Sequence, residues 1–137
     1  MEQVTAIEAH RKIEQAALAA DGDTREVKAI TPGEVVRQGD IYIHRVKADH
    51  PHGKAVESRQ LAVGTNQNAR HIAEAPAKIY EGTTAPEGVI TRLLGPCIIA
   101  DKPVRVSHPE HAHVTLPPGA YQITHQMDAR TLERVRD

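Results

Sequence analysis

The chain has 137 residues and a mass of 15.0 kDa, the size of one domain that buries a core without help from metals or disulfides. Its 17 Lys+Arg and 18 Asp+Glu balance to a formal net charge of -1, which argues against a general nucleic-acid binder. A single cysteine, Cys97, excludes an intrachain disulfide, no apolar run approaches the ~20 residues that span a bilayer, and with no charged-then-apolar leader the expected compartment is the cytoplasm.

The first pattern is helical. Val4, Ile7, Ile13, Ala17 and Leu18 fall near i, i+3, i+4 spacing, and Asp21-Gly22-Asp23 supplies a stop. This spacing predicts an amphipathic helix over 2–21, too marginal alone and therefore docked on its own domain or on a neighbouring subunit. From Arg25 onward the pattern is of strands. There is no Phe or Trp, and the β-branched residues that fill the core pack well on a pleated surface. In chain order the strand-like segments are Glu26–Ile30, Val35–Gln38, Ile41–Lys47, Ser58–Val63, His71–Ala73, Lys78–Tyr80, Val89–Leu94, Cys97–Ala100, Val104–Ser107, His113–Leu116 and Tyr121–Met127. Gly39-Asp40 reads as a tight hairpin turn, and Asp49–Lys54 as a polar loop. The whole predicts a single mainly β domain: a small antiparallel barrel or sandwich over about 25–128, one N-terminal α-helix, and a tail over 129–137. Both faces of Ile41–Val46 carry apolar residues, so something covers the second face, and Tyr42 and His44 are interface or ligand candidates there.

Nine histidines are present, three of them within Ser107-His108-Pro109-Glu110-His111-Ala112-His113. Neutral imidazole is the commonest metal ligand, and a catalytic zinc or iron site needs three His or carboxylate ligands. His71, His108, His111 and His113 are accordingly the candidate set for one divalent first-row metal. In the other reading His108 lies at the core edge, bonded to Glu110 or to the backbone, while His111 and His113 lie on a polar face or a subunit contact. Leu116-Pro117-Pro118-Gly119-Ala120-Tyr121 reads as a hairpin corner with Leu116 opposite Tyr121. On that register Val114, Leu116, Tyr121 and Ile123 pack in the core, and His111, His113, Gln122 and Thr124 share the polar face. His108 follows Val104 and Val106 at period two, on the core side.

Among the remaining candidates, Asn66, Asn68 and Arg70 could orient a polar ligand, or they belong to a solvated hairpin loop. Cys97 sits in an apolar run with no basic neighbour, so it reads as a buried thiol and not a nucleophile.

Gln38-Gly39-Asp40-Ile41, Arg70-His71 and the run from His108 through Leu116-Pro117-Pro118-Gly119-Ala120-Tyr121 together resemble a group of small bacterial proteins of unknown function. They share a Gly-Asp strand start and a His-x-x-His segment leading to Leu-Pro-x-Gly-x-Tyr. The resemblance implies a β-rich single domain and singles out His71, His108 and His111; it implies no activity.

Two functions are expected from these features. One is a non-catalytic assembly or binding module that self-associates or docks on a larger protein assembly, without nucleic acid, membrane or cofactor. The other is a metal-dependent, cupin-like barrel enzyme built on the histidine cluster.

Overall fold

A computed structural model describes residues 24–62 and 71–126. The expected helix over 2–21, the 129–137 tail and the candidates Asn66, Asn68 and Arg70 lie outside the described residues. Among those described there are eleven strands: β1 (Thr24–Glu26), β2 (Val35–Gln38), β3 (Ile41–Val46), β4 (His52–Val56), β5 (Gln60–Ala62), β6 (His71–Ala73), β7 (Lys78–Gly82), β8 (Leu94–Ala100), β9 (Val104–Ser107), β10 (His113–Leu116) and β11 (Gly119–His125). One sheet has the order β1-β10-β9-β6-β5 and the other β2-β3-β11-β8-β7-β4. The edge strands of one do not pair with those of the other, so the fold is two open sheets and not a closed barrel. Every pairing is antiparallel except β1 with β10, which is parallel.

A single apolar cluster lies between the sheets. Val104, Val106, Val114 and Leu116 come from the first, and Ile41, Ile43, Ile98, Tyr121 and Ile123 from the second. The four residues expected to pack from both sides of Pro117-Pro118 are all fully buried there. The hairpin that was to bring them together does not form. β10 pairs with β9, whereas β11 pairs with β3 and β8, so the chain changes sheets at the two prolines. Neither proline has an N–H to give a ladder, and the fixed φ of each carries the chain across the core instead of back along β10. The Tyr121 hydroxyl donates to the Pro117 carbonyl and fastens this corner.

Smaller expectations fail as well: of the strand expected over Glu26–Ile30 only Glu26 is in a strand, at the end of β1. The polar loop over 49–54 is in part the edge strand β4, whose charged and small residues suit an edge more than they suit the alternation of a half-buried strand. The strand expected over 89–94 is a 3-10 turn at Thr91–Leu93, closed by Leu93 N–H to the Ile90 carbonyl, and β8 starts only at Leu94. The β2–β3 hairpin forms as expected, with Gln38 opposite Ile41. Gly39 supplies its left-handed residue, φ +56, which a side chain would resist.

Candidate functional site

The β2–β3 turn brings two polar side chains into the end of the sandwich. Gln38 is in phase with Val36 and so faces the core, and Asp40 follows it inward. Opposite them, on the core side of the other sheet, stand His71 of β6 and His108, which follows β9. All four are at most 3 % exposed. The Gln38 amide nitrogen donates to the carbonyls of Val106, 2.9 Å, and Ala112, 3.0 Å, so its oxygen must face His71. That oxygen is 2.8 Å from His71 Nδ1, while His71 Nε2 is 2.7 Å from Asp40 Oδ1. An amide oxygen can only accept, so Nδ1 is protonated. A second proton must lie between Nε2 and the carboxylate, because two bare lone pairs would repel at that distance. The pair is thus a buried hydrogen bond that joins one sheet to the other.

A ladder of imidazoles runs outward from it. The His71 and His108 ring centres are 4.4 Å apart, and His108 and His111 are 4.4 Å apart. His111, at the outer end, is exposed. His108 Nδ1 accepts the backbone N–H of Glu110, 3.0 Å, and of His111, 3.3 Å. Together with the Gln38 bond to Ala112, this holds the 108–112 loop in shape from beneath. Burial, first of all, and then the charges of His71, His111 and His113 press the His108 ring down to about 4, with Asp40 pulling the other way.

Three of the four sequence candidates for a metal site therefore converge from separate parts of the chain. Among the described residues they are not arranged as a ligand set for a metal. Both His71 nitrogens face oxygens, His108 Nδ1 is turned to two amides, and among the described residues no group of three or more His, Cys, Asp or Glu is placed to hold one. His113 opens β10 on the face away from Val114 and influences His108 only through its charge. Glu110 is exposed on the loop. The other expectation for His108 was a core-edge ring bonded to Glu110 or to the backbone; the ring is buried and bonds the backbone N–H groups of Glu110 and His111. Gln38 and Asp40 were missed as site residues. The available signal was the phase of Gln38 with Val36, which puts an amide on a core-facing position where it needs partners.

Tyr42 and His44 lie elsewhere, on the outer face of the second sheet. His44 Nε2 is 2.8 Å from Thr124 Oγ1, and His50 Nε2 is 3.2 Å from Gln122 Oε1. The Arg37 guanidinium lies 5.9 Å from the Tyr42 ring centre. Gln122 donates to the carbonyls of Gly95, Pro96 and Ile123 and accepts from the Cys97 thiol, so this face has its own buried polar layer. Gln122 and Thr124, expected on the polar face, are at most 2 % exposed. An open cleft of about 1170 Å³ lies over it, between His44, His50 and the 86–88 segment. Burial lowers His44 to about 4, with a further push from His50, and raises the Cys97 thiol to about 11, leaving it inert. Among the described residues no helix is long and apolar enough to cross a membrane.

Residues 37–126 match the model of a family described as Domain of unknown function (DUF8820). That span runs from β2 to the end of β11 and contains Gln38, Asp40, His71, His108 and His111. No curated protein and no solved structure matches the chain.

Proposed function

The chain belongs to the DUF8820 family, and we propose that it is a non-catalytic binding module that self-associates through the histidine-capped end of the sandwich. The observation that carries this reading is the 108–112 loop. Its shape is fixed by buried polar side chains, His108 and Gln38, while Glu110 and His111 stay exposed on it. Burying an amide, a carboxylate and two imidazoles contributes less stability than an apolar core of the same volume. What such a network supplies is a loop already ordered before contact, which lowers the entropy lost on binding. The described residues favour binding over catalysis. His71 has both nitrogens engaged, and burial raises the Cys97 thiol far above neutral pH.

The test is sedimentation velocity of the full chain over a range of concentrations, with Glu110→Ala and His111→Ala singly and together. Self-association that weakens at least tenfold in the double variant is expected. A 15.0 kDa monomer at every concentration, or association indifferent to both substitutions, overturns the reading. A stoichiometric first-row metal in the purified protein would turn it toward the metalloenzyme.

A further inference from the structure

A backbone amide has only a proton to offer, so His108 Nδ1 is the acceptor toward both Glu110 and His111. The neutral ring therefore carries its proton on Nε2, and a second proton can go only to Nδ1. There it removes the lone pair that both amides use and sets N–H against N–H. We propose that the 108–112 loop is a proton-operated latch, closed while His108 Nδ1 accepts the two amides and released when a solvent proton takes their place. The inference deepens the recognition reading, since the latch shapes the same loop, but its readout is the loop itself and needs no partner.

The surroundings set the direction. His71 from β6, His111 from the loop and His113 from β10 all oppose a positive charge on His108, as burial does most strongly, and only Asp40 from the β2–β3 turn favours it. Closed, the ring holds off protonation down to about 4; in an opened, solvated loop it returns to its ordinary 6.5. Each pH unit between those limits multiplies the open fraction about tenfold, and the whole interval by about 300-fold. The Gln38 bond to the Ala112 carbonyl involves no titrating group. Acid therefore frees 109–111 while the far end of the loop stays anchored, and the inner rungs of the histidine ladder meet solvent.

The experiment is an NMR titration of the isotopically labelled full chain, dialysed against chelator, from pH 7.5 to pH 4. The ¹⁵N shifts of His108 report its tautomer, and hydrogen exchange reports the Glu110 and His111 amides. A neutral Nε2–H ring is expected. Protection of the two amides is expected to fall about tenfold per pH unit below about 6.5, while Ile43 and Ile123 in the core strands stay protected. In His108→Asn the side-chain oxygen takes the place of Nδ1 and cannot be protonated, so protection should no longer follow pH. An Nδ1–H tautomer, amides that stay protected across the range, or core amides that exchange as fast as the loop amides would each overturn the latch. So would an Asn variant that folds and loses protection as the wild type does. If that variant does not fold, the wild-type titration decides alone. Loss of self-association with the latch intact would instead count only against the recognition reading.

Discussion

At the scale of single residues, the defining contact is that of Asp40 with His71. Neither group is accessible to water, so each depends on the other for the hydrogen bonding it gave up on folding. Replacing Asp40 with Ala removes the oxygen that faces His71 Nε2 at 2.7 Å and should lower stability by about 3–5 kcal/mol. Asp40→Asn should cost markedly less, because a neutral His71 can accept from the amide at Nε2 while Nδ1 still donates to Gln38. Denaturant midpoints of the two variants at pH 7 check this, and equal losses would mean that the Asn amide does not replace the bond and that His71 needs the carboxylate itself. The sequence made His71 and His108 visible as histidines of interest, but not their partners. Asp40 looked like an ordinary turn residue beside Gly39, because aspartate is what such turns commonly hold. Only the facing of two sheets, from segments more than 30 residues apart, makes it a core group.

At the scale of elements, the alternation of side chains was legible and the pairing of strands was not. Val114, Leu116, Tyr121 and Ile123 were placed on one buried face, correctly, because period two depends on the strand alone. Their partners depend on where the chain goes after Leu116, and two prolines can close a hairpin or lead across a sandwich. Both routes bury the same four residues. The structure places Val114 beside Val106 and Ile123 beside Ile43, so truncation of either should open a cavity in the same shared core. Val114→Ala and Ile123→Ala should each lower stability by about 1–4 kcal/mol. The hairpin and the sandwich differ in what happens when Val106 is also truncated. Coupling to Val114 should be clear and coupling to Ile123 weak, as measured by double-mutant cycles in denaturant. Strong coupling of Val114 to Ile123 alone would restore the hairpin. β4 escaped notice because an edge strand with one partner needs no apolar pattern, and its His52, Lys54 and Ala55 are all exposed.

At the scale of the whole molecule, the titrating groups link the fold to pH. His44 is held to about 4 in the folded chain against an ordinary 6.5, chiefly by burial. A depressed histidine means that the unfolded state binds more protons between those values, so stability rises with pH there. His44's share is fully present above about 6.5 and is lost as pH falls toward about 4, by roughly 3 kcal/mol at most. Denaturant midpoints measured between pH 7 and pH 4.5 should fall for the wild type and fall less steeply for His44→Gln, whose amide can still meet Thr124. Identical slopes would show that His44 keeps its solution behaviour in the fold.

The position of β11 has a consequence for how the chain reaches this state. It is the strand between β3 and β8, so the second sheet has no continuous middle until residues 119–125 have been made. β1 likewise waits for β10, some ninety residues later in the chain. A growing chain on the ribosome can form the β2–β3 hairpin by itself, but its apolar face has nothing to rest on. Folding of this domain therefore waits until β11 has been made, and the nascent β strands must be kept from one another's edges until then.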